Sequence, residues 1–405
     1  MPAARRPAPS AAAALTAALA AACTVGLAGC GSTPTQTPGL GGLGPDTPAP
    51  AGAAAATPAP AAPVIDPIDA AALNFDVRWT HDLAMDPGQT VARLLVSGGL
   101  VIVIEEPVNL VTALELRSGR TLWKSVVGSR LDSMVGVSAD DRDVFVNSPN
   151  RLYRLARRSG EVKEIQNLQY VVSGSPLRLD RRVVFGSDEG VVFAHHLDDG
   201  YSKWAYALTS PVRVQPVAGD GQVFVVDDTG HYAMLGTNGG RLRWRGQTYG
   251  PVTAPVEMHE GFVLMASEDQ SLYSLSEVTG RDRWPAFRSE ARLSTGPVAA
   301  GNTVYLREPG RGLSAVAADT GEARWFYPGD VAPLSVDAVG PLVAGPGVLL
   351  RLDGATGEPV HAITVPNLSK ARDVDGGLVL LGRNGRMAGL APVSAGGGDR
   401  TAASR

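Results

Sequence analysis

The sequence predicts an all-β fold: an eight-bladed β-propeller of four-stranded antiparallel blades, closed by pairing strands from the two chain ends. Three observations predict it. Turn glycines recur at Gly119, Gly160, Gly200, Gly240, Gly280, Gly321 and Gly357, about 40 residues apart. Four residues after them stand Trp123, Glu164, Trp204, Trp244, Trp284, Trp325 and His361; five residues before them stand Leu114, Leu155, His195, Leu235, Leu275, Val316 and Leu352. The series is also headless at its first copy and tailless at its last.

At the N-terminus, Arg5 and Arg6 precede an Ala-rich apolar run from Ala11 to Ala28 that ends in Leu27-Ala28-Gly29-Cys30. A basic region, an apolar run and small residues before a cut site are the marks of an export signal. Residues 1–29 are expected to be a signal peptide. Small residues before a cysteine also resemble a bacterial lipobox, which implies that Cys30 is diacylated and becomes the mature N-terminus, a membrane anchor. Residues 30–73 follow as a Pro/Ala/Thr-rich tether with too few large apolar residues to pack a core. Its Thr-Pro pairs fit either O-glycosylation or a protease-resistant spacer.

The propeller is expected over residues 74–392. It begins with a lone strand, Phe75 to Trp79, lacking the three strands that should precede it. Seven units follow, with middle hairpins at 99–124, 143–164, 182–206, 222–245, 262–285, 303–327 and 343–362. The fourth is the clearest: Val223–Val226, an Asp-Asp-Thr-Gly turn, His231–Leu235, an Asn-Gly-Gly turn, and a strand ending on Trp244. An apolar segment often opened by proline, as at Pro216-Val217 and Pro297-Val298, supplies each first strand, where a missing N–H breaks no ladder bond. Leu378–Leu390 gives two more strands about Asn384-Gly385, and the strand around Trp79 is expected to complete that last blade and remove a free edge. Residues 393–405 read as a disordered tail.

Among the 405 residues, 36 are basic and 40 acidic, which gives no case for nucleic acid. Cys23 and Cys30 are the only cysteines, so after leader removal no disulfide, thiolate metal site or haem-attachment motif is expected. No P-loop, dinucleotide fingerprint or Gly-x-Ser-x-Gly elbow occurs. Ser187–Gly190 and Asp373–Asp375 read as hairpin turns, because neither supplies the alternating oxygens of a calcium loop. His195 and His196 are neighbours on one strand and point to opposite faces, so they cannot share a metal. Arg154, Arg157, Arg158, Arg181 and Arg182 read as a solvated basic surface. No catalytic residue, cofactor site or metal site is expected.

The repeat apolar-Leu-x4-Gly-x3-Trp, as in Ala113–Trp123 and Ser274–Trp284, is similar to that of eight-bladed propellers of the pyrroloquinoline-quinone (PQQ) type. The resemblance spans residues 75–390. It implies that Trp79, Trp123, Trp204, Trp244, Trp284 and Trp325 dock each outer strand on the neighbouring blade, and that the blades carrying Glu164 and His361 dock less firmly. It implies one of two functions. Quinoprotein dehydrogenases of this type use a vicinal disulfide, a calcium site and often haem, and this chain lacks the cysteines and the insertions. Envelope lipoproteins of outer-membrane protein assembly share the lipobox, tether and eight blades. That class implies a monomeric, non-catalytic scaffold binding protein partners such as the outer-membrane insertase. It would sit lipid-anchored on the outer membrane facing the periplasm, or on the outer face of a single membrane. A small-ligand sensor using the channel is the alternative. No partner-binding residue is carried over.

Overall fold

The computed structural model describes residues 63–374 and 376–393. Eight antiparallel sheets of four strands each follow one another along the chain. Blades 1 to 7 span residues 90–126, 136–167, 177–207, 217–247, 257–288, 298–328 and 332–364. First strands of neighbouring blades touch one another, so they line the axis of the ring. The two middle strands are largely buried, and Asp143–Asn147 and Gly312–Ala317 are so from end to end, because blades cover both of their faces. Outer strands such as Ser202–Ala207 instead alternate, with one face in solvent.

Blade 8 is built from both ends of the chain. Strands Leu368–Val374, Gly377–Gly382 and Arg386–Pro392 are completed by Phe75–Asp82, with Phe75 opposite Pro392, Trp79 opposite Gly389 and Asp82 opposite Arg386. The outer edge of Arg386–Pro392 is thereby paired, and the ring has no loose first or last blade.

Two elements differ from the sequence reading. Blade 5 was expected to carry its outer strand through Trp284, but that strand is only Phe287–Arg288, after a lone bridge between Leu275 and Asp282. Pro285 has no N–H to give the ladder, so pairing lapses around it.

The second difference lies before residue 74, where a tether was expected. Residues 67–72 form a short helix, Pro67–Ala72, with Asp66 Oδ1 accepting from Ile68 N and Pro67 in the first turn. Val64, Ile65, Ala70 and Leu73 are buried against Leu342, Leu349, Ile363, Val365 and Leu378 of blades 7 and 8. Elsewhere the turn joining a blade's third and fourth strands seats the preceding blade. Blade 8 has no such turn, because those two strands belong to opposite chain ends. The helix fills the vacant seat. Leader residues 1–29, Cys30, the tether up to residue 62 and the tail from residue 394 lie outside the described residues.

Candidate functional site: the interblade joints and the central channel

Each tryptophan of the repeat sits where its strand can reach the next blade. The indole Nε1 donates to a backbone carbonyl there: Trp79 to Leu116 at 2.7 Å, Trp123 to Arg157 at 2.8 Å and Trp204 to Thr237 at 3.0 Å. Trp244 donates to Glu277 at 2.9 Å, Trp284 to Ala318 at 3.1 Å and Trp325 to Gly354 at 3.0 Å. In every case the acceptor stands three residues before the turn glycine of that blade. The ring itself lies on the glycine. A Cβ at Gly160 would come within 2.3 Å of Trp123, and one at Gly119 within 2.5 Å of Trp79. These turn glycines also have φ between +62° and +75°. Glycine is therefore needed twice over, for a left-handed backbone and for a flat seat.

The joint between blades 2 and 3 uses other chemistry. At the tryptophan position stands Glu164, but Gln166, two residues on and so on the same strand face, reaches the next blade. Its Nε2 donates to Leu197 O at 2.9 Å and to Glu164 Oε1 at 2.7 Å; its Oε1 lies 2.7 Å from His195 Nε2. With both of its acceptors facing the amide nitrogen, the amide oxygen must face the imidazole, which places a proton on His195 Nε2. His195 is 1% exposed, and burial lowers its pKa despite the carboxylates of Asp199 and Glu164. It occupies the position held by Leu or Val in the other copies. The two departures from the repeat therefore face each other across one joint.

The joint between blades 7 and 8 is the other exception. His361 is exposed, and the seat is taken by the helix and Ile363. Arg351, 3% exposed, holds the arrangement: it donates to Leu73 O at 3.1 Å and Gly340 O at 3.3 Å, pairs with Asp337 at 2.9 Å, and lies over the Phe75 ring.

The basic cluster expected to be solvated is largely tied down. Arg154 and Lys163 both pair with the buried carboxylate of Asp143. Arg157 reaches the carbonyls of Asp140 at 2.8 Å and Ser97 at 3.1 Å, linking blades 2 and 1; Arg182 reaches Thr237 O at 2.8 Å, linking blades 3 and 4.

A cavity of about 690 Å³ opens along the axis, walled by the first strands of blades 8, 1, 2 and 3. Among the described residues no group of His, Cys, Asp and Glu is placed to hold a metal ion. Exposed apolar side chains lie on connections between blades (Leu131, Tyr249) and on turns of the opposite face (Tyr201, Val278).

The family model described as "Outer membrane protein assembly factor BamB" matches residues 38–166, 108–214 and 188–349, more than half of the chain. The chain belongs to this family. A BamB of Alkalilimnicola ehrlichii is 28% identical over 162 residues, 37% of this chain and 42% of the relative. Another, from Moranella endobia, is 23% identical over 310 residues, covering 70% and 77%. The quinohemoprotein alcohol dehydrogenase ADH-IIG of Pseudomonas putida is 23% identical over 277 residues, 62% of this chain but 34% of that enzyme. The chain thus spans less than half the length of the Alkalilimnicola and Pseudomonas relatives. Among solved structures, BamB from Moraxella catarrhalis superposes with a TM-score of 0.65 at 18% identity, over 78% of this chain and 97% of that one. At that identity the likeness is one of fold, and the eight-bladed ring of the BamB family is the fold that this chain has.

Proposed function

We propose that this BamB-family chain is a non-catalytic scaffold of the cell envelope that takes part in assembling outer-membrane proteins. The observation that carries the reading is the family match running across most of the ring, from residue 38 to residue 349. The joints support it too, since their chemistry is spent on holding the ring together: indole on glycine, Gln166 on His195, Arg351 on the Leu73 carbonyl. Under this reading Cys30 is diacylated, the chain is held at the membrane through that lipid, and the monomeric ring presents its turns and connections to protein partners, the outer-membrane insertase foremost. Fold alone does not assign such a role. The dehydrogenase likeness covers only a third of that enzyme, so it supports shared blades rather than shared chemistry.

Affinity purification of the tagged full chain from detergent-solubilised envelopes tests the proposal. Enrichment of an outer-membrane insertase is the expected result. Recovery of the chain with a small molecule and no envelope protein would replace the scaffold with a ligand sensor, the reading that the axial cavity favours.

A further inference from the structure

The axial cavity is walled by residues that are far apart in sequence. Arg93 comes from the first strand of blade 1, Arg178 from that of blade 3, and Lys370 and Arg372 from that of blade 8. Among the described residues lining it there is no aspartate or glutamate. The chain as a whole has a formal charge of −4, so this concentration of positive charge runs against the average.

What the cations bond to is decisive. Arg178 is neutralised by Asp140, with a guanidinium–carboxylate contact of 2.7 Å. Arg93 and Arg372 are held by backbone carbonyls instead: Arg93 donates to Val135 O at 3.1 and 2.8 Å, and Arg372 to Leu94 O at 3.4 Å. Each spans the gap between adjacent inner strands, blade 1 to 2 and blade 8 to 1. A carbonyl fixes where a guanidinium points without cancelling its charge. The Lys370 ammonium has no hydrogen bond or ion pair among the described residues, although the residue is only partly exposed. Burial and the like charges of Arg372 and Arg93 hold its ammonium below the usual lysine range. In the same wall, Ser138 Oγ is buried with no hydrogen-bond partner. Arg372 is exposed, but the partly buried Lys370 and Arg93, gathered without counter-charge, are costly unless an anion joins them.

We propose that the channel over blades 8, 1 and 2 binds a small soluble oxyanion, a ligand bearing phosphate or carboxylate groups, with Lys370 and Arg93 as its principal charge partners and Arg372 beside them. The cavity volume suits a ligand of metabolite size. Low-dielectric walls and one sign of charge focus the field into the channel. The site is independent of the assembly role, since a ring that meets protein partners through its turns leaves its axis free.

Calorimetric titration of the full-length protein with inorganic pyrophosphate at low ionic strength tests this. Saturable one-site binding is expected, weakened at least tenfold by Lys370→Met and by Arg93→Gln, and unchanged by Arg241→Gln on an exposed turn of blade 4. Lys370→Met removes no structural bond, so circular dichroism should report a native ring. A second arm measures binding to phosphatidylcholine vesicles doped with phosphatidylglycerol. Lys370-dependent vesicle binding without pyrophosphate binding would overturn the soluble ligand and transfer the site to a lipid headgroup. Absence of saturable pyrophosphate binding, or equal binding by a folded Lys370→Met variant, would overturn the site itself.

Discussion

Gln166 Oε1 lies 2.7 Å from His195 Nε2, joining blade 2 to blade 3 at one of the two joints of the ring that lack an indole. Gln166 replaces the tryptophan as donor to the neighbouring carbonyl, and His195 replaces the leucine beneath it. A buried amide and imidazole that satisfy each other are coupled, and either one alone leaves the other orphaned. Gln166→Ala is expected to cost about 1–3 kcal/mol. Combining it with His195→Leu should cost less than the sum of the single changes, with a coupling of about 0.5–3 kcal/mol. Chemical denaturation of the four variants of the cycle measures it, and strict additivity would remove the coupled joint.

Acid sensitivity follows from the same residue. Burial lowers the pKa of His195 in the folded chain, while Asp199 and Glu164 oppose the shift and His196 adds to it. Once unfolded, the imidazole titrates near its ordinary value of about 6.5. As pH falls through that value the unfolded chain gains a proton that the folded chain refuses, so stability falls and then levels off below the folded pKa. His195→Leu should show a shallower loss of stability than the parent between about pH 7 and pH 5. Part of the slope should persist, because burial also lowers the pKa of His81. Parallel pH profiles for parent and variant would mean that His195 does not contribute.

Indole and glycine form one device at the regular joints. Gly160 and Gly221 have nearly the same φ, +71° and +68°, but a Cβ at Gly160 would meet Trp123 at 2.3 Å whereas one at Gly221 meets nothing within 4 Å. Gly221→Ala is expected to cost about 1–2 kcal/mol from backbone conformation. Gly160→Ala should cost more, and Trp123→Ala about 3–5 kcal/mol from the emptied seat. Equal losses for the two glycines in thermal denaturation would show that the ring does not rest on the turn.

Residues 64–73 act as part of the body. Ile65→Ala and Leu73→Ala are each expected to cost about 2–5 kcal/mol, since both side chains are buried between blades 7 and 8. A tether would tolerate both without loss. Equilibrium unfolding of the two variants decides between those outcomes.

How much of this was legible in the sequence depended on the distance over which each signal acts. The 40-residue rhythm, the turn glycines and the strand around Trp79 left without partners could all be read by counting, and closure of blade 8 followed from the two incomplete ends. Gln166 was missed because reading at a fixed offset from the glycine lands on Glu164; only strand geometry shows that a residue two places on faces the same way. His195 looked like an ordinary strand histidine, though its place in the leucine column was a usable signal. The helix at Pro67–Ala72 was hidden in a Pro/Ala composition, with Val64, Ile65 and Leu73 too sparse to suggest a core until blade 8 is seen to lack a turn. Arg93 and Lys370 meet only because the ring closes, and no local pattern announces that.

Deleting the gene in the source organism tests the proposed role in outer-membrane protein assembly most directly. Quantitative proteomics of purified envelopes should show outer-membrane β-barrel proteins depleted relative to envelope proteins of other classes, restored by the parent chain and not by Cys30→Ala. β-barrel levels unchanged by the deletion would contradict the account.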